Sequence, residues 1–182
     1  KFRVARISYY TGDFGWAQAQ LEVLKGATSK LIANDALQLS LTISDALAID
    51  TNVAPLELYA MADLFAFRNM DTTAIMLLDS LNNTYPNHAL ADDIIYKRAQ
   101  IALKKLNYNQ AAIYYEEILK NYGEDILGDD AMFKLADLNE NQFKNIEKAK
   151  ELYQQLLEKY PDSLYVVEAR KRFRRLRGDS IN

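Results

Sequence analysis

The sequence predicts an all-α fold of paired antiparallel helices, and three observations lead to that prediction. Glycine and proline, which interrupt helices, number only nine among 182 residues. Apolar residues recur at intervals of three and four along most of the chain, as they do on amphipathic helices. The same pattern then returns about every 37 positions, so the helices are expected to form repeating pairs.

Two alanines mark each copy of the repeat, one in each helix of the pair. In the three full copies they are Ala62 and Ala74, Ala99 and Ala111, and Ala136 and Ala149. A partial copy with Ala5 and Ala17 precedes them. Small side chains at these positions predict a close crossing of the two helices, which a short turn connects. The third copy has one extra residue between its alanines, which we expect to lie in this turn.

Local signals set the expected ends of the individual helices. The patterns predict helices near residues 2–12, 14–27, 34–49, 54–68, 71–84, 88–106, 108–122, 128–141, 145–160 and 163–177. Pro86 and Pro161 end the second helices of two copies, because proline has no amide hydrogen and disfavours helical geometry before it. We expect Asp162 or Ser163 to cap the last helix, which should close near Gly178.

One segment, residues 28–52, interrupts the repeat. The alternation of Leu37, Leu39, Leu41 and Ile43 by itself favours a strand. A lone strand among helices has no partner for its backbone, whereas Asn34 can cap a helix. The segment is therefore predicted to be an extra helix.

These signals together predict one helical-repeat domain over residues 1–182. We divide it into a partial repeat, the extra helix, three repeats and a capping helix, at 1–27, 28–52, 53–87, 88–124, 125–161 and 162–178. The chain opens on Lys1 in a helical pattern without an initiator methionine. It is therefore expected to be the C-terminal part of a longer protein.

The composition argues against most catalytic chemistry. The chain has no cysteine and one histidine, His88, which excludes thiol nucleophiles, cysteine-bound metals and multi-histidine metal sites. The pairs Asp92–Asp93 and Asp129–Asp130 begin first helices, where carboxylates favour the positive end of the helix dipole. A net charge of −3 argues against general nucleic-acid binding. We expect no enzyme activity, no cofactor and no metal.

Helix pairs with this skeleton of alanines and a closing proline resemble tetratricopeptide repeats, over about residues 1–161. The resemblance implies a right-handed superhelix whose concave face is lined by the first helix of each pair. It also implies that the chain binds a protein or peptide partner along that face. The oligomeric state is left open.

The resemblance suggests which residues line the groove. Three residues before the first alanine of each copy stands an aromatic residue, and one residue after it stands a polar one. The candidate partner-binding residues are Phe2, Arg6, Tyr59, Asp63, Tyr96, Gln100, Phe133 and Asp137. Mixed charge favours an apolar peptide or helix anchored by the rings over a clamp for a C-terminal carboxylate. The alternative is that these rings pack in the core.

A second candidate surface lies on the last helix. Its basic residues are Arg170, Lys171, Arg172, Arg174, Arg175 and Arg177, and residues 168–182 carry a net charge of +4 against −7 for the rest. This patch either solubilises a capping helix or binds an acidic protein surface or anionic lipid. If the patch binds such a partner, charge reversal at Arg172 and Arg175 should abolish a salt-sensitive association and leave the helix folded. If it only solubilises the helix, association should be unchanged.

The segment from Tyr160 to Arg170 resembles the tails of Gram-negative envelope repeat proteins, of the barrel-assembly lipoprotein and cell-division coordinator type. This resemblance implies a scaffold in a bacterial envelope complex, periplasmic or associated with the outer membrane and close to a membrane surface. A cytoplasmic location stays open. The alternative function is a glycan- or nutrient-binding accessory protein of the envelope, in which aromatic rings stack on sugars.

Overall fold

The structure is a computed structural model that describes residues 1–26, 30–49, 52–86 and 88–179. Within these ranges the chain forms ten helices and no strand, so the predicted all-α class is confirmed. The helices are α1 (Phe2–Tyr10), α2 (Phe14–Lys25), α3 (Lys30–Ile49), α4 (Ala54–Phe67), α5 (Asp71–Thr84), α6 (Ala91–Lys104), α7 (Tyr108–Asn121), α8 (Gly128–Asn141), α9 (Ile146–Lys159) and α10 (Val166–Arg177). They belong to two compact units, unit 1 from Lys1 to Ile94 and unit 2 from Ile95 to Asn182.

In unit 1, α1 packs against α2 and α4 packs against α5. The two alanines of each of these pairs are completely buried, Ala5 with Ala17 and Ala62 with Ala74. Larger apolar residues one and two turns after the second alanine complete the buried face, as at Leu78 and Leu81. The repeating alanines therefore lie inside the helix pairs, as the sequence pattern predicts.

The interrupting segment forms helix α3, which packs against α2, so the strand alternative does not apply. Its buried residues Ala36, Ser40, Ile43 and Ala46 follow helical spacing, whereas Leu37 lies at the surface. The predicted start at Asn34 is wrong, because α3 is already helical at Lys30. Residues 28, 29, 50 and 51 of the predicted segment lie outside the described residues.

Buried Ser40 links α3 to α2. Its hydroxyl donates to Gln18 Oε1 at 2.8 Å, and its backbone oxygen accepts a bond from Gln18 Nε2 at 3.3 Å. These bonds satisfy a polar group inside an otherwise apolar contact, where an unpaired hydroxyl would be costly.

Unit 2 has one continuous core, to which α6, α7, α8, α9 and α10 contribute. Ala99 and Ala111, like Ala136 and Ala149, are completely buried. The ring of Tyr96 on α6 meets that of Tyr115 on α7 edge-on, with the centroids 5.9 Å apart. Helix α10 packs against α9 and buries Ala169, so it covers the last helix pair as predicted.

The same turn joins the helices of every pair. Its key residue has a left-handed backbone, with φ +80° at Gly12, +62° at Asn69, +58° at Leu106 and +57° at Lys144. In each turn the next amide then bonds back to the end of the first helix, as Met70 N does to Phe65 O at 2.9 Å. This geometry ends a helix in the manner of a Schellman motif. It explains why α1, α4 and α6 end one or two residues before the predicted positions.

The residue after the left-handed one caps the second helix. The side chain of Asp13 accepts a bond from Trp16 N at 3.1 Å, Asn107 from Gln110 N at 3.3 Å and Asn145 from Lys148 N at 3.2 Å. Met70 has the same backbone conformation before α5, but its side chain has no oxygen that could accept a hydrogen bond from the first turn. Helix α5 therefore begins without the side-chain cap that α2, α7 and α9 have.

The ends of two other helices differ from the predictions. Helix α6 begins at Ala91 and not at His88, whose Nδ1 accepts a bond from Leu90 N at 3.2 Å and so forms a turn before the helix. Helix α10 begins at Val166, and Ser163 Oγ accepts a bond from Tyr165 N at 3.1 Å in the preceding turn. The predicted cap at Asp162 or Ser163 is thus wrong. The predicted closure near Gly178 is confirmed, since this residue ends the helix with φ +89°.

We predict that Met70→Asn stabilises the chain by about 1 kcal/mol, because it adds a cap to a backbone that already has the capping geometry. Met70 is partly exposed, so little apolar burial is lost. Urea denaturation followed by circular dichroism measures the gain. As the reverse change, Asn107→Ala should cost a similar amount at α7. An unchanged midpoint for Met70→Asn would contradict the shared turn geometry.

Candidate partner-binding surfaces

The aromatic residues predicted to line the groove are buried. Tyr59, Tyr96 and Phe133 are 6%, 7% and 7% exposed, and Phe2 is partly buried. The prediction that these rings offer open surface to a partner is therefore wrong, and the alternative of core packing holds for the three buried rings. Tyr59 and Tyr96, three residues before the first alanines of their copies, point toward the next first helix along the chain.

The tyrosine hydroxyls at this position reach the start of that next helix. Tyr59 Oη donates to the backbone oxygen of Asp93 at 3.3 Å, within unit 1. In unit 2, Tyr96 Oη donates to Asp130 Oδ1 at 3.3 Å. Both bonds join residues that are 34 positions apart, so the repeat places the hydroxyl at the start of the next first helix in both cases, although one acceptor is a backbone oxygen and the other a carboxylate. The acidic residues Asp92, Asp93, Asp129 and Asp130 also stand in the first turns of α6 and α8, as predicted.

Asp130 is a buried carboxylate with two phenol partners. It accepts bonds from Tyr96 and, at 2.6 Å, from Tyr165, whose ring stacks on Phe133 with centroids 4.3 Å apart. Burial raises the pKa of the Asp130 carboxyl above its ordinary value, and the bonds from Tyr165 and Tyr96 offset only part of that rise. Burial likewise raises the pKa of Tyr96, so the phenol stays protonated and donates.

We predict that Asp130→Asn changes the pH dependence of stability. A pKa raised in the folded state means that protonation of Asp130 favours folding, and this advantage disappears as pH rises through the folded pKa. Asparagine keeps an accepting oxygen without the charge. The unfolding free energy of the variant relative to the native chain should therefore rise above about pH 4 and then level off. Urea titrations at several pH values test this, and a difference that does not vary with pH would contradict it.

The predicted groove residues Arg6 and Asp63 contact each other between α1 and α4. Their closest atoms are 3.8 Å apart, and Tyr10 Oη bridges them by accepting from Arg6 and donating to Asp63 Oδ2 at 2.9 Å. The guanidinium of Arg6 also lies over the ring of Phe67, 4.8 Å from its centroid. These charges therefore hold two first helices together rather than standing free in a groove.

The two polar groove residues predicted in unit 2 lie in different surroundings. Gln100 is exposed on α6. Asp137, on α8, is ion-paired with Arg172, whose guanidinium also lies 5.3 Å from the centroid of Phe133. The capping helix thus covers the surface on which Phe133 and Asp137 were expected to meet a partner.

The buried carboxylate of Glu140, at 6% exposure, anchors α10 to the rest of unit 2. It accepts bonds from Tyr153 Oη at 2.8 Å, from Arg172 at 3.5 Å and from Arg175. Arg172 also pairs with Glu168 at 2.8 Å, within its own helix. The sequence pattern did not point to Glu140, because its partners lie 13 to 35 positions away and no short motif links them.

The six cations of the basic patch therefore fall into two groups. Arg172 and Arg175 bind Glu140, and Arg177 pairs with Asp179. Arg170, Lys171 and Arg174 are exposed, and no ion pair involves them in the described part of the chain. Charge reversal at Arg172 and Arg175 therefore does not isolate a docking role, because the new carboxylates would face buried Glu140 and weaken the attachment of α10.

We predict that Glu140→Ala destabilises the chain by about 2–3 kcal/mol. The change leaves the Tyr153 hydroxyl and two arginines without their shared acceptor, but both arginines keep some access to water, so the loss stays below that of a fully buried pair. Glu151→Ala is the control, because its pair with Lys148 is exposed and should matter by less than about 0.5 kcal/mol. Equal losses for the two variants, measured by thermal and urea unfolding, would contradict a structural role for Glu140.

Unit 1 contains an open cleft of about 250 Å³ where the turn between α1 and α2 faces α4. The lining residues are Tyr10, Thr11, Gly12, Phe14, Glu57, Ala60, Met61 and Leu64. Met61 is 47% exposed, and the exposed side chain of Glu57 provides a carboxylate. The sequence pattern did not identify this cleft, because it depends on how a turn and a distant helix face each other.

Two further features of the described residues bear on function. No group of three or more histidine, cysteine, aspartate or glutamate side chains among them is arranged to hold a metal ion. None of the described helices combines the length and apolar character that crossing a membrane requires.

Comparison with known families finds a similarity for two stretches of the chain. The tetratricopeptide repeat model matches residues 93–125, which span most of α6 and all of α7, and residues 130–163, which span most of α8 and all of α9. These two stretches are similar to tetratricopeptide repeats, a class of helical repeat that generally mediates protein–protein interaction. No curated protein matches the chain.

Proposed function

We propose that the chain is a non-enzymatic scaffold that binds a peptide or helix of a protein partner. The observation that carries the proposal is the tetratricopeptide match of residues 93–125 and 130–163, because repeats of this class generally bind proteins. The helix pairs supply a rigid framework, and a rigid framework lowers the entropic cost of binding.

The cleft of unit 1 is the binding site that we propose for an apolar side chain of the partner. Tyr10, Phe14 and Leu64 provide apolar walls, and flexible Met61 adapts to different side chains. The carboxylate of Glu57 at the same cleft favours a partner with a basic residue beside the apolar one. The net charge of −5 over residues 1–94 supports the same preference.

We predict that Met61→Glu weakens binding of peptides selected on the native chain by phage display, by about tenfold or more. The new carboxylate lies one turn from Glu57, and an apolar group that enters the cleft would have to desolvate it. Met76→Glu is the matched control, because Met76 is 66% exposed on α5 and lies outside the cleft. Fluorescence anisotropy measures both affinities. Equal losses, or no loss at Met61, would place the binding site elsewhere.

The alternative of a glycan- or nutrient-binding protein has one observation in its favour. Trp16 on α2 is 59% exposed, and sugar rings stack on exposed indoles. A glycan array probed with the native chain and with Trp16→Ala separates the two functions. Sugar binding that depends on Trp16, together with an empty peptide selection, would favour this alternative.

We further propose that the scaffold works in a bacterial envelope complex, in the periplasm or at the outer membrane and near a membrane surface. The support is the resemblance of the segment from Tyr160 to Arg170 to envelope repeat proteins. Fractionation of the native cells, followed by detection with an antibody, tests the location.

A further inference from the structure

We propose that the outer stripe of α10, formed by Val167, Arg170, Lys171 and Arg174, binds an acidic helix of a protein partner. The inference rests on the proposed scaffold function and adds a second site with its own chemistry. Nothing in the tetratricopeptide match requires it, since α10 lies beyond residue 163, where the match ends.

The cations on α10 fall into two groups that differ in whether acidic residues neutralise them. Three of the six, at positions 172, 175 and 177, are neutralised by acidic residues of unit 2. Arg170, Lys171 and Arg174 point to solvent at spacings of one, three and four residues, which places them along one side of the helix. Val167 stands one turn before them and is 78% exposed. The stripe thus combines charge with an exposed apolar contact.

Contacts with the rest of unit 2 hold the stripe in a fixed position. Arg172 and Arg175 fix α10 to buried Glu140, while Ala169 is completely buried and Phe173 packs against the core. Arg170 and Arg174 are one turn apart, about 6 Å along the axis. Carboxylates four residues apart on a partner helix have the same spacing, so they can pair with both guanidinium groups at once.

The positions of the apolar residues on α10 favour a protein over a membrane as the partner. A helix that lies in a membrane surface inserts its apolar face, but the apolar residues Ala169, Phe173 and Leu176 of α10 belong to the core of unit 2. Only Val167 would enter the bilayer. Arginine also recognises carboxylates through paired, directed hydrogen bonds, which favours a structured acidic partner.

The test uses the full chain and a synthetic helical peptide with glutamates four residues apart and a leucine beside them. A twin peptide with glutamine in place of glutamate is the control probe. By fluorescence anisotropy, we expect the acidic peptide to bind about tenfold more tightly than its twin at about 50 mM salt and to weaken at about 200 mM. Equal binding of the two peptides would overturn the proposal.

The variant Arg170→Gln/Lys171→Gln/Arg174→Gln should lose about tenfold in affinity for the acidic peptide. Arg68→Gln/Lys105→Gln/Lys120→Gln changes the net charge equally at other exposed positions and should lose less than about twofold. Similar losses in both variants would show a general charge effect and overturn the proposal. So would tighter binding of the native chain to phosphatidylserine vesicles than to the peptide.

Failure of this site and failure of the scaffold function give different results. The triple variant of the stripe should still bind the display-selected peptides that depend on Met61. Conversely, Met61→Glu should bind the acidic peptide as the native chain does. Loss of only the acidic peptide confirms a second site, whereas an empty display selection concerns the cleft and leaves the stripe unaffected.

Discussion

The close approach of two helices at a pair of alanines is the constraint on which each repeat depends. All eight of these alanines are completely buried, and any larger side chain would push the helices apart. Once the helices are this close, the residues four and seven positions after the second alanine must fill the remaining space. They do so with Leu21 and Leu24, Leu78 and Leu81, Tyr115 and Ile118, and Tyr153 and Leu156. The register of the whole repeat follows from this packing.

The same helix packing determines the backbone conformation of the connecting turn, largely independently of the residue types in the turn. A left-handed backbone is favourable for glycine and tolerable for asparagine, yet Leu106 and Lys144 adopt it as well, at a cost of about 1–2 kcal/mol each. Packing of the paired helices outweighs this local preference. For the same reason α5 begins directly after Met70, whose side chain cannot cap it. Local and tertiary preferences therefore agree in some copies and conflict in others.

Buried polar contacts distinguish unit 2 from a purely apolar helix stack. Asp130 accepts hydrogen bonds from two tyrosine hydroxyls, and Glu140 accepts bonds from Tyr153, Arg172 and Arg175. Each carboxylate lies in the contact between a first helix and the element that follows the repeat. Such groups are costly to bury unless they are fully paired, so they favour one position of α10 over others. That position leaves Arg170, Lys171 and Arg174 on the outside.

The sequence by itself determined the helices, their pairing and the buried alanines, because these depend on periodicities of three, four and about 37 residues. It also determined the helix in the interrupting segment, because the backbone hydrogen-bonding groups of a lone strand among helices would have no partner. Tertiary structure alone decided which side chains remain available to a partner. The sequence pattern places Tyr59 and Tyr96 on the same side of their helices, but only the packing of the next helix buries them. Likewise, Arg172 and Arg174 look equivalent in the sequence. Arg172 contacts Glu140 whereas Arg174 is exposed to solvent, because exposure depends on residues that are distant along the chain.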